Sequence, residues 1–214
     1  MRNPKPMLIW GNGGLGREVN VLCETLGIPV AGYLDLRPEM KGEMSDGVKV
    51  LGDILDPDIN VENYQVTFAV GDSALRKRMY EKTLATGMDI AEALIHPSVI
   101  YSARSLQIGP GSVICPGCAI MVNVSIGTAV VINQLCSIGH DLILNDFVTL
   151  SPSVSVSGNV SIGEGSYLGV GCSIREGIQI GNWAVIGGGA FVKDNVPDKV
   201  LMAGVPAIIK KFIE

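Results

Sequence analysis

The sequence predicts two architectures in series: a small Rossmann-like α/β unit over residues 1–94, then a parallel β-helix over residues 95–214. Three observations carry this. An aliphatic residue recurs at every sixth position, without a break, from Ile108 to Val192. Ahead of that run, short apolar stretches alternate with helix-like segments, and the first pair is joined by the turn Gly11-Asn12-Gly13-Gly14-Leu15-Gly16. The composition combines 47% hydrophobic residues with 5% aromatics and 27 glycines, which suits an aliphatic core closed by tight, repeated turns.

In the N-terminal unit, MLIW reads as a buried strand and REVNVLCETLG as a helix. VAGYLDL is a second strand ending at Asp35, QVTFAVGD a third, and ALRKRMYEKTLATG a second helix. Such alternation makes a parallel sheet with a ligand site at the strand ends. Gly11, Gly13 and Gly16 match GxGxxG, and Asp35 stands where a ribose-binding acid belongs. A unit ending at residue 94 is nevertheless too short for the two-halved dinucleotide fold. A mononucleotide-sized site fits better, with the Gly13 and Gly14 N–H groups near a phosphate and Asp35 near a base or ribose. Arg37, just past the second strand, and Gly71, near the end of the third, join that candidate set. A turn that serves packing alone remains open.

A period of six belongs neither to an α-helix nor to a flat strand. It fits a solenoid in which each hexad is one short strand and one turn, its aliphatic residue pointing inward. Three sides close a coil of 18 residues, so Ile108, Ile126, Leu144, Ile162 and Ile180 form one column. Five coils at about 4.8 Å each give a prism about 24 Å tall. Its ends need covers, and the N-terminal unit and the tail GVPAIIKKF are the candidates.

A net charge of -5 and a pI near 5.1 argue against a nucleic-acid partner. No stretch is long enough to span a bilayer, and the apolar run before Gly11 is too short for a signal peptide. The expected location is the cytoplasm, with the five cysteines reduced. Cys115-Pro-Gly-Cys118 has no second Cys/His pair to make a zinc or redox motif. Cys136 and Cys172 share the repeat position of Cys118, which points to packing.

The unbroken hexads, followed by Gly204-Val205-Pro206-Ala207, resemble the hexapeptide-repeat acyltransferases over residues 95–214. That resemblance implies a left-handed coil, a homotrimer and acetyl-CoA as donor, with no metal. The βαβ cap, followed by AL-IHPS-V, narrows it to acetyltransferases that N-acetylate UDP- or GDP-linked amino-deoxy sugars for surface glycans. Relatives described as sialic acid O-acetyltransferases share this pattern. In that subfamily the cap binds the acceptor's nucleotide; many members have a His where this chain has Leu15.

There are two histidines, and His96 in the junction reads as structural. His140 lies two residues beyond inward Ile138, past the turn at Gly139, and so points outward. A neutral imidazole suits removal of a proton from an attacking amine or hydroxyl, and Asp141 beside it can orient the ring. This dipeptide matches the family's His–acid pair. The resemblance also assigns Asn133 to the reacting groups, and Gly158, Gly188 and Thr149 to the coenzyme, Thr149 replacing a second family His. It implies direct transfer in a cleft between subunits. Competing readings are an O-acetyltransferase, a hexapeptide-repeat carbonic anhydrase, an NAD-dependent oxidoreductase and a scaffold without activity. The carbonic anhydrase needs three zinc-binding histidines per site, and the oxidoreductase leaves the solenoid unexplained.

Overall fold

The computed structural model describes residues 5–213. Strand β1 (Met7–Trp10) is central in a six-stranded sheet and buried along its whole length, as an apolar run covered on both faces must be. Helix α1 (Gly14–Thr25) and strand β2 (Val30–Leu34) follow, and β2 pairs parallel with β1. The helix begins at Gly14, ahead of the expected Arg17, and buries Gly16, Val19, Leu22 and Cys23 along one stripe. A hairpin of β3 (Met44–Ser45) and β4 (Val48–Gly52) then adds β4 parallel to β2. Its loop, Asp46-Gly47, has φ of 51° and 76°. That Asp-Gly turn between apolar residues is a hairpin signal that the strand–helix reading passed over.

Strand β5 (Gln65–Phe68) lies on the other side of β1, followed by α2 (Ser73–Thr86) and β6 (Asp89–Ile90), giving the order β3-β4-β2-β1-β5-β6. Helix α2 is capped at both ends. The Asp72 carboxylate accepts from the Leu75 N–H, and Gly87 closes the C-terminus at φ 72°.

From Leu94 onward the chain winds as a left-handed β-helix with three faces. The docked face carries strands at 94–95, 113–114, 131–132, 149–150, 167–168 and 185–186, then Val200–Ala203 and antiparallel Ile208–Phe212. Leu94 already pairs with Val113, so the expected division at residues 94 and 95 falls inside the first strand. On the serine face Ala119, Ser137, Ser155, Ser173 and Phe191 alternate with the inward residues, and Ser137, Ser155 and Phe191 are exposed. On the third face, Ile108, Ile126, Leu144, Ile162 and Ile180 stack in register, as the period of six requires. The inward side chains, including Cys118, Cys136 and Cys172, form one continuous buried core.

The glycine that often follows the inward aliphatic, as at Gly109, Gly127, Gly139, Gly163, Gly169, Gly181 and Gly187, has a steric cause. A β-carbon at Gly139 would lie 2.5 Å from the Gly158 nitrogen of the next coil. Each corner also turns through a left-handed residue, among them Asn123, Asp141 and Asn159, types that tolerate positive φ. No helix among the described residues is long and apolar enough to cross a membrane.

Helix α2 and the ends of β1 and β5 seat the N-terminal sheet on the docked face and on the corner between that face and the third. Tyr80 meets Phe147 edge-on at 5.5 Å between centroids. Lys77 pairs with Glu164 at 2.6 Å, its ammonium above the Phe147 and Trp183 rings.

Candidate active site

The five acceptor-site candidates of the N-terminal unit come together. Gly13, Gly14, Asp35, Arg37 and Gly71 line one cleft of about 450 Å³ at the C-terminal ends of β1, β2 and β5. The loop glycines divide by role. A β-carbon at Gly11 would lie 2.6 Å from the Ala69 carbonyl oxygen, and one at Gly16 would run into the Gly11 carbonyl, so packing requires both. A β-carbon at Gly13, Gly14 or Gly71 would have nothing within 4 Å; these glycines face open space where a ligand can approach the backbone. Helix α1 opens there without a side-chain cap or an acid in its first turn. Its leading N–H groups and dipole therefore favour an anion at the cleft.

Asp35 is 8% exposed, and its carboxylate is taken up by Arg37. Oδ1 accepts from the Arg37 backbone N–H and Nε, both at 2.9 Å, and Oδ2 accepts from Nη2 at 2.8 Å. Burial pushes the Asp35 carboxyl up, but the Arg37 hydrogen bonds and charge outweigh it and hold it below the usual carboxylate range. Arg37 Nη2 also donates to Asn12 Oδ1 at 3.0 Å, so loop and strand end are tied together. Asp35 thus acts chiefly through Arg37, a different arrangement from an acid left free to bind a ribose. Leu15 lines the same cleft.

The second cluster sits on the corner between the serine face and the third face. His140 is half exposed, and its Nδ1 lies 2.7 Å from Asp141 Oδ2. Asp141 Oδ1 accepts from Asn123 Nδ2 at 3.0 Å. The Asn123 hydrogen bond and then the His140 contact hold the Asp141 carboxyl below its ordinary value. With Nδ1 engaged by a carboxylate, Nε2 is the nitrogen left to work as a base. Asn123 escaped notice in the sequence, yet it lies one 18-residue coil before Asp141 and stacks on it. Gly158, one coil after His140, lies beneath the imidazole: a β-carbon there would be 2.6 Å from Nε2. The Gly158 N–H makes no hydrogen bond among the described residues, leaving a donor beside the imidazole.

The other three predicted positions lie elsewhere in the same protomer. Asn133 and Gly188 occupy the corner between the docked and serine faces. Asn133 Nδ2 donates to the Leu150 carbonyl at 2.8 Å, and its own carbonyl accepts from the Cys118 thiol. Thr149 points outward from the docked face but is covered by α2, leaving it 1% exposed. Its hydroxyl donates to the Gly71 carbonyl at 2.9 Å and accepts from Arg76. Thr149 is therefore a brace between the two units in this chain, against the expectation that it meets the coenzyme directly. His96 is bonded to Ser98 at 2.8 Å, away from both clusters.

A wider cavity of about 830 Å³ opens on the far side of Gly71, walled by Tyr167, Trp183, Val185 and Lys199. Sequence reading missed these residues because the repeat marks only where side chains point, not which of them the cap leaves uncovered.

In a triangular coil, the corner between two faces stands opposite the third. The His140 corner is therefore on the far side of the helix from the docked face that carries the cleft. One protomer presents the His140 imidazole on one side and the Gly13–Gly71 cleft on the other.

A β-helix of unbroken hexads with a cleft-bearing α/β cap and an exposed His–Asp pair defines a hexapeptide-repeat transferase. Residues 159–194 match the bacterial transferase hexapeptide family, and residues 6–83 match the PglD N-terminal domain family. The fold is similar to that of perosamine N-acetyltransferase from Caulobacter crescentus, solved with CoA and GDP-perosamine. The identity is 32% and the TM-score 0.90, over 96% of this chain and 97% of that one. The acetyltransferase domain of PglB from Neisseria gonorrhoeae, solved with acetyl coenzyme A, is 30% identical at a TM-score of 0.87, covering 96% and 99%. WeeI from Acinetobacter baumannii is 26% identical at a TM-score of 0.85, covering 95% and 99%. The chain belongs to this family of hexapeptide-repeat sugar-nucleotide acetyltransferases.

Proposed function

We propose that this protein transfers the acetyl group of acetyl-CoA to the amino group of a nucleotide-linked amino-deoxy sugar, a step in glycan assembly. One observation carries the reading: an Asn123–Asp141–His140 chain leaves the imidazole Nε2, and the Gly158 N–H beneath the ring, without a partner among the described residues. The relatives solved with CoA and GDP-perosamine, or with acetyl coenzyme A, support the choice of substrates. In this reading residues 1–94 hold the acceptor and residues 95–214 carry out transfer.

The diphosphate of the acceptor sits at the α1 N-terminus over Gly13 and Gly14, with Arg37 and Gly71 at the cleft edges. Because cleft and base lie on opposite sides of one protomer, the cleft of one subunit works with His140 of its neighbour. A homotrimer closes such a heterologous contact. Asn133 and Gly188 then belong to the neighbour's wall of the shared site. Both substrates are cytoplasmic metabolites, which supports a cytoplasmic site of action.

His140 Nε2 takes a proton from the sugar amine as its nitrogen lone pair attacks the thioester carbonyl carbon. The carbonyl π electrons move onto oxygen, and the Gly158 N–H donates to that oxyanion. Collapse restores the carbonyl, breaks the carbon–sulfur bond and expels the CoA thiolate, which takes the proton from the imidazolium. Asp141 holds the ring and stabilises its charged form, the same division of labour as in other acyl transfers.

Product analysis tests this. Acetyl-CoA and a nucleotide-linked amino sugar, incubated with the protein, should yield an amide-linked acetyl group that survives mild alkaline hydroxylamine. An ester-linked product would assign the reaction to a hydroxyl instead.

A further inference from the structure

The helix segment SALRKRMYEKT reads as polar, and nothing in it separates Arg76 from Lys77 or Arg78. The fold separates them sharply. Arg76 is 0% exposed and ranks among the largest fully buried side chains. No carboxylate makes an ion pair with it among the described residues. Its charge is instead met by oxygen dipoles from three separate segments of the chain. Nη1 donates to the carbonyls of Val70 at 2.6 Å and Gly71 at 3.3 Å. Nε donates to the Ala129 carbonyl at 2.7 Å. Nη2 donates to the Phe147 carbonyl at 2.6 Å, the Val148 carbonyl at 3.2 Å and the Thr149 hydroxyl at 2.8 Å. The Thr149 hydroxyl closes the circuit by donating to the Gly71 carbonyl.

A buried cation without a counter-ion is costly, and an apolar side chain would fill the space at less expense. What the guanidinium adds is geometry. Its rigid fork holds the Val70-Gly71 turn with one prong and two successive β-helix coils with the others, which an ammonium's single point charge does not do. Val70 and Gly71 are cleft wall, and Gly71 also borders the larger cavity beyond. The bonds therefore run directly from the wall of the acceptor cleft to the helix that sets the position of every catalytic group.

We propose that Arg76 is a positioning residue for acetyl transfer: it locks the Val70-Gly71 wall to the coils at Ala129 and Phe147–Thr149, and so fixes where the acceptor's amino group is presented. This rests on the acceptor occupying the Gly13–Gly71 cleft, as argued above. A packing role alone would lower stability and leave the chemistry of the folded enzyme intact.

The test uses full-length Arg76→Lys and Thr149→Val, each checked for trimer formation and thermal midpoint. Thr149→Val leaves Arg76 in place and removes the bridge to Gly71, so it carries the question if Arg76→Lys fails to fold. In the folded variants, kcat should fall by about 10-fold or more. The KM for acetyl-CoA, and the affinity for UDP or GDP by calorimetry, should stay within about 2-fold of wild type. Amide exchange of residues 69–73 should quicken while β1 and β2 keep their protection. Unchanged kcat in the folded variants would overturn the proposal, as would a loss of nucleotide affinity that matches the loss of kcat. If the wild type acetylates no nucleotide-linked sugar, the acceptor reading fails by itself. The exchange measurement still decides on the lock, and unchanged protection at 69–73 would sink it.

Discussion

The imidazole of His140 lies against Gly158 of the next coil, so closely that a β-carbon at Gly158 would stand 2.6 Å from both Cε1 and Nε2. The base and its glycine floor are one structural unit, produced by a period of 18 residues that stacks one on the other. Gly158→Ala is therefore expected to push the ring off Asp141 while the coil stays intact. Steady-state kinetics should show kcat reduced by about 10- to 100-fold with the thermal midpoint little changed. Gly188→Ala, whose β-carbon would be 3.2 Å from the Val170 carbonyl oxygen, should be the milder change.

His140→Ala removes the base without touching the core, since the side chain is half exposed. The expected loss in kcat is about 100- to 10,000-fold, with acetyl-CoA binding preserved in calorimetry. Asp141→Asn should lose less, because it leaves the imidazole in place and removes its orienting charge.

The hydrogen bonds of Asp141 also set a pH dependence of stability. Its folded-state value lies below the ordinary 3.8, so the folded chain binds fewer protons than the unfolded one between those two values. The stabilisation is complete above the ordinary value and is lost as pH falls through the depressed one. Asn123→Ala removes the largest cause of the depression. Urea midpoints measured across the acid range should show wild type above the variant at pH values over that of an ordinary carboxylate, and the two converging as pH falls through the depressed value of Asp141.

Placement of cleft and base on opposite sides of the protomer predicts complementation. Gly14→Phe fills the cleft, because that position faces open space, and His140→Ala disables the base. Unfolded together in equal amounts and refolded, the two inactive variants should recover up to about a quarter of wild-type activity, the random share of sites that pair an intact cleft with an intact base. No recovery, with mixed trimers confirmed by mass spectrometry, would put each site within one protomer.

The β-helix was legible because its signal is repeated and local. Ile108 to Val192 keep one period, so each residue's face follows from arithmetic, and His140 over Gly158 follows from the same count. The cleft was legible for a different reason: Gly13, Gly14, Asp35, Arg37 and Gly71 all lie at strand ends, where a parallel sheet gathers its ligands. Thr149 and Arg76 were not legible. Both depend on how α2 settles on the docked face, a contact between segments more than 70 residues apart that no period records. Asn133 shows the same limit within the helix, since the count places it on a corner but cannot say which subunit's base that corner serves. The Asp46-Gly47 hairpin was written in the sequence and simply overlooked in favour of strand–helix alternation.

The most direct test is thiol release from acetyl-CoA in the presence of UDP- and GDP-linked amino sugars, with wild-type protein and His140→Ala side by side. The account predicts acceptor-dependent release with at least one amino sugar, and its near-complete loss in the variant. Release that persists undiminished in His140→Ala, or none with any nucleotide-linked amino sugar although acetyl-CoA binds, would contradict it.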